Sequence, residues 1–345
     1  MYLLRDVQKS DLPGLKRLAA VLNTMNLPDN EETLTALIDT SVKSFSGRQP
    51  DPSRAEYLWV LEDPVTEQLV GTSMVIAQHG TYEAPHIFFE VGEREHYSAS
   101  IGRHLRHTTL SIGYNYEGPT EIGGLVVDPD LRGTDLKPGK QLSYVRFLFM
   151  AMHRHLFRDR VLAELMPPLL PDGRSILWEA VGKRFTGLTY QEADRLSRQN
   201  KEFIKELFPG GEIYATLLPT RARKVLGVVG PQTRGVQKML ERIGFEYIDR
   251  IDPFDGGPHF EAELDDVTLI RDFRRATLAD ATLEGPAAEG DLDMLVGHSR
   301  DQGRVRFRSV RCRVRFDGRK ALLPEEAVDA LGARPGAELG FIPFQ

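Results

Sequence analysis

An α+β fold is the class the sequence predicts, and three observations carry it. The chain opens as one strand and two helices, a group of antiparallel strands follows, and TEIGGLVVDPDLRGTDLKPGKQL (120–142) then ends a strand at Asp-Pro-Asp and passes through a glycine- and lysine-bearing loop into a helix. That order is an α+β pattern and suits a mixed, largely antiparallel sheet with flanking helices.

Each element has its own signal. YLLRDV reads as the first strand, and Ser10-Asp11 caps LPGLKRLAAVL, where Leu15, Leu18, Ala19 and Leu22 share a helical face. EETLTALIDTSVKSF, from about Asn30, repeats the helical period. AEYLWVLED and QLVGTSMVIAQ read as a hairpin, and HIFFEVG adds a strand. The helix GKQLSYVRFLFMAMHRHLF (139–157) leads to the strand VLAELMP. Residues 176–245 read as largely helical, after which EYIDRI and HFEAEL flank the turn-rich PFDGGP. Small polar residues at 276–291 mark a linker, dividing the chain into a main domain (1–275) and a small β-rich module (292–345). In that module RVRFRSVRCRVRF alternates with period two and Asp317-Gly318 makes a hairpin turn.

Composition sets the class of protein. Hydrophobic content of 41% and charged content of 27% are ordinary for a folded domain, and the apolar runs fall short of a membrane span. The N-terminus has no signal-peptide pattern, so a cytoplasmic enzyme or binding protein is expected, with no membrane partner. A single cysteine, Cys312, excludes an internal disulfide framework and a Cys-clustered zinc site, and no metal centre is expected. A net charge of −6 argues against nucleic acid as the main partner. The arginines of the tail strand (304, 306, 308, 311, 313, 315) then read as the wet face of a half-buried strand.

The loop that ends the opening motif places Gly133, Gly139 and Lys140 just before a helix N-terminus. Free amides and the helix dipole make such an end an anion site, and glycine permits close approach of a phosphate; an ordinary strand-to-helix turn uses the same residues. Upstream, Gly123-Gly124 inside the apolar strand points to a bulge or to close approach of a ligand.

Several segments, in order along the chain, carry a resemblance. TEIGGLVVDPDLR, LSYVRFLFMA, GRSILWEAVGKRF, YQEADRLS, NKEFIKELFP, IYATLLP, GVVGPQT, ERIGFEY and FDGGPHFEAELDDV are similar to motifs of the arginine N-succinyltransferases, a branch of the GCN5-related N-acyltransferase superfamily. The resemblance runs from about Leu4 to the C-terminus. It implies transfer of a succinyl group from succinyl-CoA, a cosubstrate and not a resident cofactor, to the α-amino group of arginine or ornithine in arginine breakdown. It also implies a homo-oligomer, or a hetero-oligomer with a paralogous subunit. Leu125 falls on the family's succinyl-CoA-binding leucine, Val127 lies one pleat further, and the superfamily's phosphate motif begins at Arg132. The loop here is about two residues longer and lacks the Gly-x-Gly pair. At GVVGPQT the family's proton-donating histidine is replaced by Gly230, which leaves room for another amine substrate or for a catalytically impaired partner subunit.

Acyl transfer from a thioester to an amine needs a neutral amine, a polarised carbonyl and protonation of the departing thiolate. Glu121, eleven residues before Arg132, matches the placement of the catalytic glutamate in some histone acetyltransferases of the superfamily. His259 is a candidate replacement for the missing histidine, whereas His153 and His155 read as a solvated helix face. Glu164, Asp255 and Glu261 match acidic positions of family motifs and suit a guanidinium, and Arg174 and Ser175 suit a carboxylate. For each, an ordinary structural role is the plainer alternative, an Asx turn in the case of Asp255.

Overall fold

The computed structural model describes residues 1–22, 27, 30–131, 133–197 and 200–344. In chain order its strands are β1 (Leu3–Asp6), β2 (Glu56–Glu62), β3 (Leu69–Ile76), β4 (His86–Ser98), β5 (Arg103–Asn115), β6 (Thr120–Val127), β7 (Arg160–Glu164) and β8 (Ile213–Tyr214). They continue with β9 (Glu246–Ile251), β10 (Pro258–Glu263), β11 (Arg274–Leu278), β12 (Leu292–Ser299), β13 (Phe307–Asp317), β14 (Lys320–Leu322) and β15 (Glu338–Pro343). The long helices are α1 (Leu12–Leu22), α2 (Glu31–Phe45) and α3 (Pro138–Met152). Two compact units result: Met1–Gln78 with Thr120–Asp159 and Leu264–Gln345, and His79–Pro119 with Arg160–Glu263.

In the first unit, β1, β2, β3 and β6 form an antiparallel sheet in that order. Helices cover both faces, which is why β2 reads as a continuous apolar run. Leu58 and Val60 pack with Leu15, Leu18, Leu34 and Ile38 of α1 and α2. Tyr57 and Trp59 face the other way and meet Phe149 of α3, with ring centroids 5.0 and 5.2 Å apart. Asn30 caps α2, its side chain accepting from the Thr33 N–H at 3.0 Å.

The tail closes on itself. β12 pairs with β13 and β15, β15 with β11, β11 with β14 and β14 with β13, so five strands make a ring without a free edge. Val310, Cys312, Val314, Leu339 and Phe341 fill it, with Ala327 and Leu331 of the helix Glu325–Leu331. Its arginines lie outside as the alternation predicts: Arg311 pairs with Asp293 at 2.6 Å and Arg315 with Asp291 at 2.7 Å. The expected division at 276–291 does not coincide with the two units. Residues 274–278 are strand β11, the irregular stretch is 279–291, and β13 pairs with β1, which joins the tail to the N-terminal sheet. Buried Asp6 reinforces this seam by accepting the N–H groups of Arg306 and Phe307, each at 2.9 Å.

The second unit is an antiparallel sheet in the order β7, β10, β9, β4, β5, β8. β4 and β5 form a ribbon of thirteen residues a side. The sequence reading ends β4 at Gly92 and omits β5, because both faces of the outer ribbon are exposed and polar and no apolar alternation marks them. The stretch expected to be largely helical is a chain of short helices; the longest are Tyr190–Ser197 and Arg234–Arg242. Among the described residues no helix is long and apolar enough to cross a membrane.

Candidate active site

The second unit gathers its titratable side chains around one carboxylate. Antiparallel register sets His259 of β10 opposite Glu164 at the end of β7. His86 opens β4, and His79 lies seven residues earlier, across a turn that contains Gly80. At Gly80, with φ of +89°, a Cβ would stand 2.4 Å from the Asn115 carbonyl oxygen, so the turn requires glycine. Glu164 Oε1 lies 3.1 Å from His86 Nε2, 3.4 Å from His259 Nε2 and 3.9 Å from His79 Nε2. The His86 and His259 rings stack at 5.2 Å, and His79 meets His86 edge-on at 4.4 Å. His86 and His259 are buried, while the carboxylate between them is 27% exposed.

The FDGGP turn adds two acids. Asp252 Oδ1 accepts the N–H groups of Phe254 and Asp255 at 2.6 and 3.0 Å, and Asp255 Oδ1 accepts from Gly257 at 2.7 Å, the predicted Asx turn. A Cβ at Gly257 would stand 2.4 Å from the Leu165 carbonyl oxygen, so this turn is pressed against the residues that follow Glu164. Burial opposes charge on Glu164, but the His259, His86 and His79 rings outweigh it and hold its pKa well below the usual range. Burial, reinforced by the Glu164 charge, pushes Asp252 up to about 7; Asp255 is raised well above its ordinary value by burial and by Asp252. One fixed anion ringed by three imidazoles, beside Asp255, which holds its proton, and Asp252, which titrates near neutrality, is an arrangement for proton transfer and for receiving a cation.

The same group bears on metal binding. His79, His86 and Glu164 present donor atoms that all lie within 4.8 Å of one another, two imidazoles and a carboxylate of the kind zinc accepts. Sequence reasoning missed this group, as it missed Asp252, because His79 lies in the bend before β4, His86 opens that strand and the two show no metal-ligand spacing.

Gly230 closes against the same segment. Its N–H donates to the Met166 carbonyl at 2.8 Å, and a Cβ would stand 2.7 Å from the Pro167 oxygen and 2.9 Å from the Met166 oxygen. A side chain has no room on this backbone.

Other predicted residues are occupied locally. The Ser175 hydroxyl caps the helix Ile176–Ala180, accepting from the Trp178 N–H at 2.9 Å. Arg174 pairs with Asp172 at 2.7 Å, and Glu261 is held by Arg160. Among the described residues, no contact brings these three to the Glu164 cluster.

In the first unit Glu121, Gly123, Leu125 and Val127 alternate on the half-open face of β6, and a Cβ at Gly139 of α3 would stand 3.5 Å from the Val127 side chain. Glu56 and Glu121 share a register across β3, both paired with Ile76. Burial, and then the nearby Glu121, push Glu56 up to about 7. The strand glycines form the predicted irregularity: register with β3 shifts between Thr72 and Met74, and Gly124 has φ of +57°. In the loop Gly133 faces open space and Gly139 lies in the first turn of α3, while Arg132 lies outside the described residues. The Lys140 ammonium rests over the rings of Tyr144 and Phe344 at 5.0 and 4.9 Å. His153, expected on a solvated face, is instead half-buried against Phe149 and 2.8 Å from the Ser299 hydroxyl.

Comparison with known proteins decides the family. The family described as arginine N-succinyltransferase beta subunit matches residues 2–269. The chain belongs to the arginine N-succinyltransferase family. An arginine N-succinyltransferase of Escherichia coli is 34% identical over 339 residues, covering 97% of this chain and 96% of its own. One from Yersinia pestis is also 34% identical, over 346 residues with the same coverage. The solved structure of arginine/ornithine succinyltransferase subunit AI from Pseudomonas aeruginosa superposes with a TM-score of 0.83 at 30% identity, covering 99% of this chain and 98% of the other. The mixed, largely antiparallel acyltransferase fold expected from the succinyltransferase motifs is therefore the fold of the chain.

Proposed function

We propose that the protein transfers the succinyl group of succinyl-CoA to the α-amino group of arginine or ornithine by direct attack of the amine on the thioester, in arginine catabolism. The observation that carries this reading is the cluster of Glu164 with His79, His86 and His259. It supplies proton-transfer groups beside the segment 164–167, against which Gly230 closes at the position of the family's histidine. His259, oriented by Glu164, takes the role of proton donor to the leaving thiolate, and Glu121 that of general base for the amine. Glu164, joined by Asp252 in its charged form, gives the field that attracts a cationic amino acid, while protonated Asp255 holds the FDGGP turn. Buried Cys312, its thiol pushed up to about 12 by burial, offers no thiolate for an acyl-enzyme, which agrees with direct attack.

For the donor, Leu125 and Val127 line the acyl-CoA path on β6, and amides at Gly133 and Gly139 with Arg132 take the pyrophosphate. Lys140, engaged by two rings, contributes long-range charge. Arg174, Ser175 and Glu261 serve local structure in this reading. The long β4–β5 ribbon supports assembly with a second copy or a paralogous subunit, and a cytoplasmic location follows from the substrates.

His259→Ala and Glu164→Gln test the assignment in a thiol-release assay with succinyl-CoA and arginine. Turnover falls by about 100-fold or more while succinyl-CoA still binds. Unchanged turnover in either variant removes that residue from the chemistry.

A further inference from the structure

Arg146 lies in the middle of α3 with 2% of its surface exposed. Every acceptor around it is neutral. Its Nε donates to the Ser143 carbonyl at 3.1 Å, one terminal nitrogen donates to the Ser143 hydroxyl at 2.7 Å, and the other reaches the Gly123 carbonyl at 3.4 Å. Among the described residues no carboxylate pairs with it, and burial alone accounts for a pKa lowered to about 9, which leaves the guanidinium charged at neutral pH. A buried cation without an anion is a costly feature for a fold to retain, and an arginine fork is suited to a carboxylate held by two parallel hydrogen bonds. The carbonyl it reaches belongs to the glycine pair of β6, where the register with β3 shifts and a Cβ at Gly123 would meet the Glu121 carboxylate at 3.7 Å, an ordinary contact distance.

We propose that Arg146 is the counter-ion for the free carboxylate of the succinyl group and so sets the choice of acyl donor. This inference rests on the succinyl-CoA reading above. Acetyl-CoA has no carboxylate and leaves the guanidinium buried and unneutralised, whereas succinyl-CoA supplies the missing charge. Selection by such a site is strong, because the wrong ligand leaves a buried polar group without its partner.

The test compares succinyl-CoA and acetyl-CoA in the wild-type protein and in Arg146→Gln and Arg146→Lys, by calorimetric binding and by kcat/KM with arginine. In the wild type succinyl-CoA is preferred. In Arg146→Gln that preference falls on the order of 100-fold in both readouts, through loss of succinyl-CoA affinity with acetyl-CoA affinity kept. Arg146→Lys, which keeps the charge and loses the fork, retains part of the preference and guards against a fold lost in the glutamine variant. A succinyl-to-acetyl ratio unchanged in both variants, or losses equal for the two donors, overturns the proposal and leaves Arg146 as a support for the Gly123 carbonyl. A wild-type protein that forms no succinyl-amine refutes the catalytic reading separately, and the binding ratio still decides the role of Arg146.

Discussion

Gly230 shows how one residue constrains a whole site. Two backbone oxygens stand within 2.9 Å of where its Cβ would be, and backbone cannot give way as a flexible side chain can. Gly230→His is therefore expected to lower stability by about 1–3 kcal/mol and to bring no gain in turnover. Thermal melts and the thiol-release assay check this; a stable, more active variant contradicts it. Asp252 gives a second prediction at this scale. With its pKa at about 7 it is neutral in mild acid and charged in mild base, and only the charged form attracts a guanidinium. KM for arginine should fall as pH rises from about 6 to 8, and Asp252→Asn should flatten that trend.

At the scale of elements, α3 carries more than its periodicity announced. Twelve of its fifteen residues are buried, among them Arg146, because the β2–β3–β6 sheet lies along it and the barrel strands β12 and β15 also contact it. The turn that ends α3 holds His153 against Phe149, and its pKa is lowered to about 4, first by burial and then by His155 and Arg275. The folded chain thus binds fewer protons at His153 than the unfolded chain between about pH 6.5 and 4. Its stabilising contribution is full above the upper value and is lost as pH falls through the lower one. At pH 5 the loss reaches up to about 2 kcal/mol at 1.36 kcal/mol per unit. The melting temperature of His153→Gln should accordingly change less between pH 8 and pH 5 than that of the wild type. An equal change in both proteins removes His153 as the source of acid lability.

For the molecule as a whole, the barrel that ends the chain is part of the N-terminal unit. Removing residues 292–345 strips β1 of its partner β13 and Asp6 of the two amides it binds, exposing a sheet edge and the apolar lining of the barrel. The truncated chain is expected to aggregate or to lose cooperative unfolding; a soluble, cooperatively folding product would show that the barrel is dispensable. Local pattern made much of this fold legible. The helical period of α2, the β2–β3 hairpin, the irregularity at Gly123-Gly124 and the arginine face of β13 follow from periodicity and turn chemistry. Closure of the barrel and the polar ribbon β4–β5 did not, since long-range pairing and solvated strands leave no periodic trace. The site divides in the same way. Glu164 and His259 carry family motifs, but His86 joins them from the start of another strand, and His79 and Asp252 from turns, placements that a linear reading does not display. The central claim is succinyl transfer to arginine by a member of the family that has glycine at position 230. The most direct measurement is release of CoA thiol from succinyl-CoA or acetyl-CoA with arginine, ornithine, lysine or no amine, with mass spectrometry of the product. The account predicts N-succinylarginine or N-succinylornithine, formed from succinyl-CoA in preference to acetyl-CoA. No turnover with any pair, in folded protein that binds acyl-CoA, contradicts it.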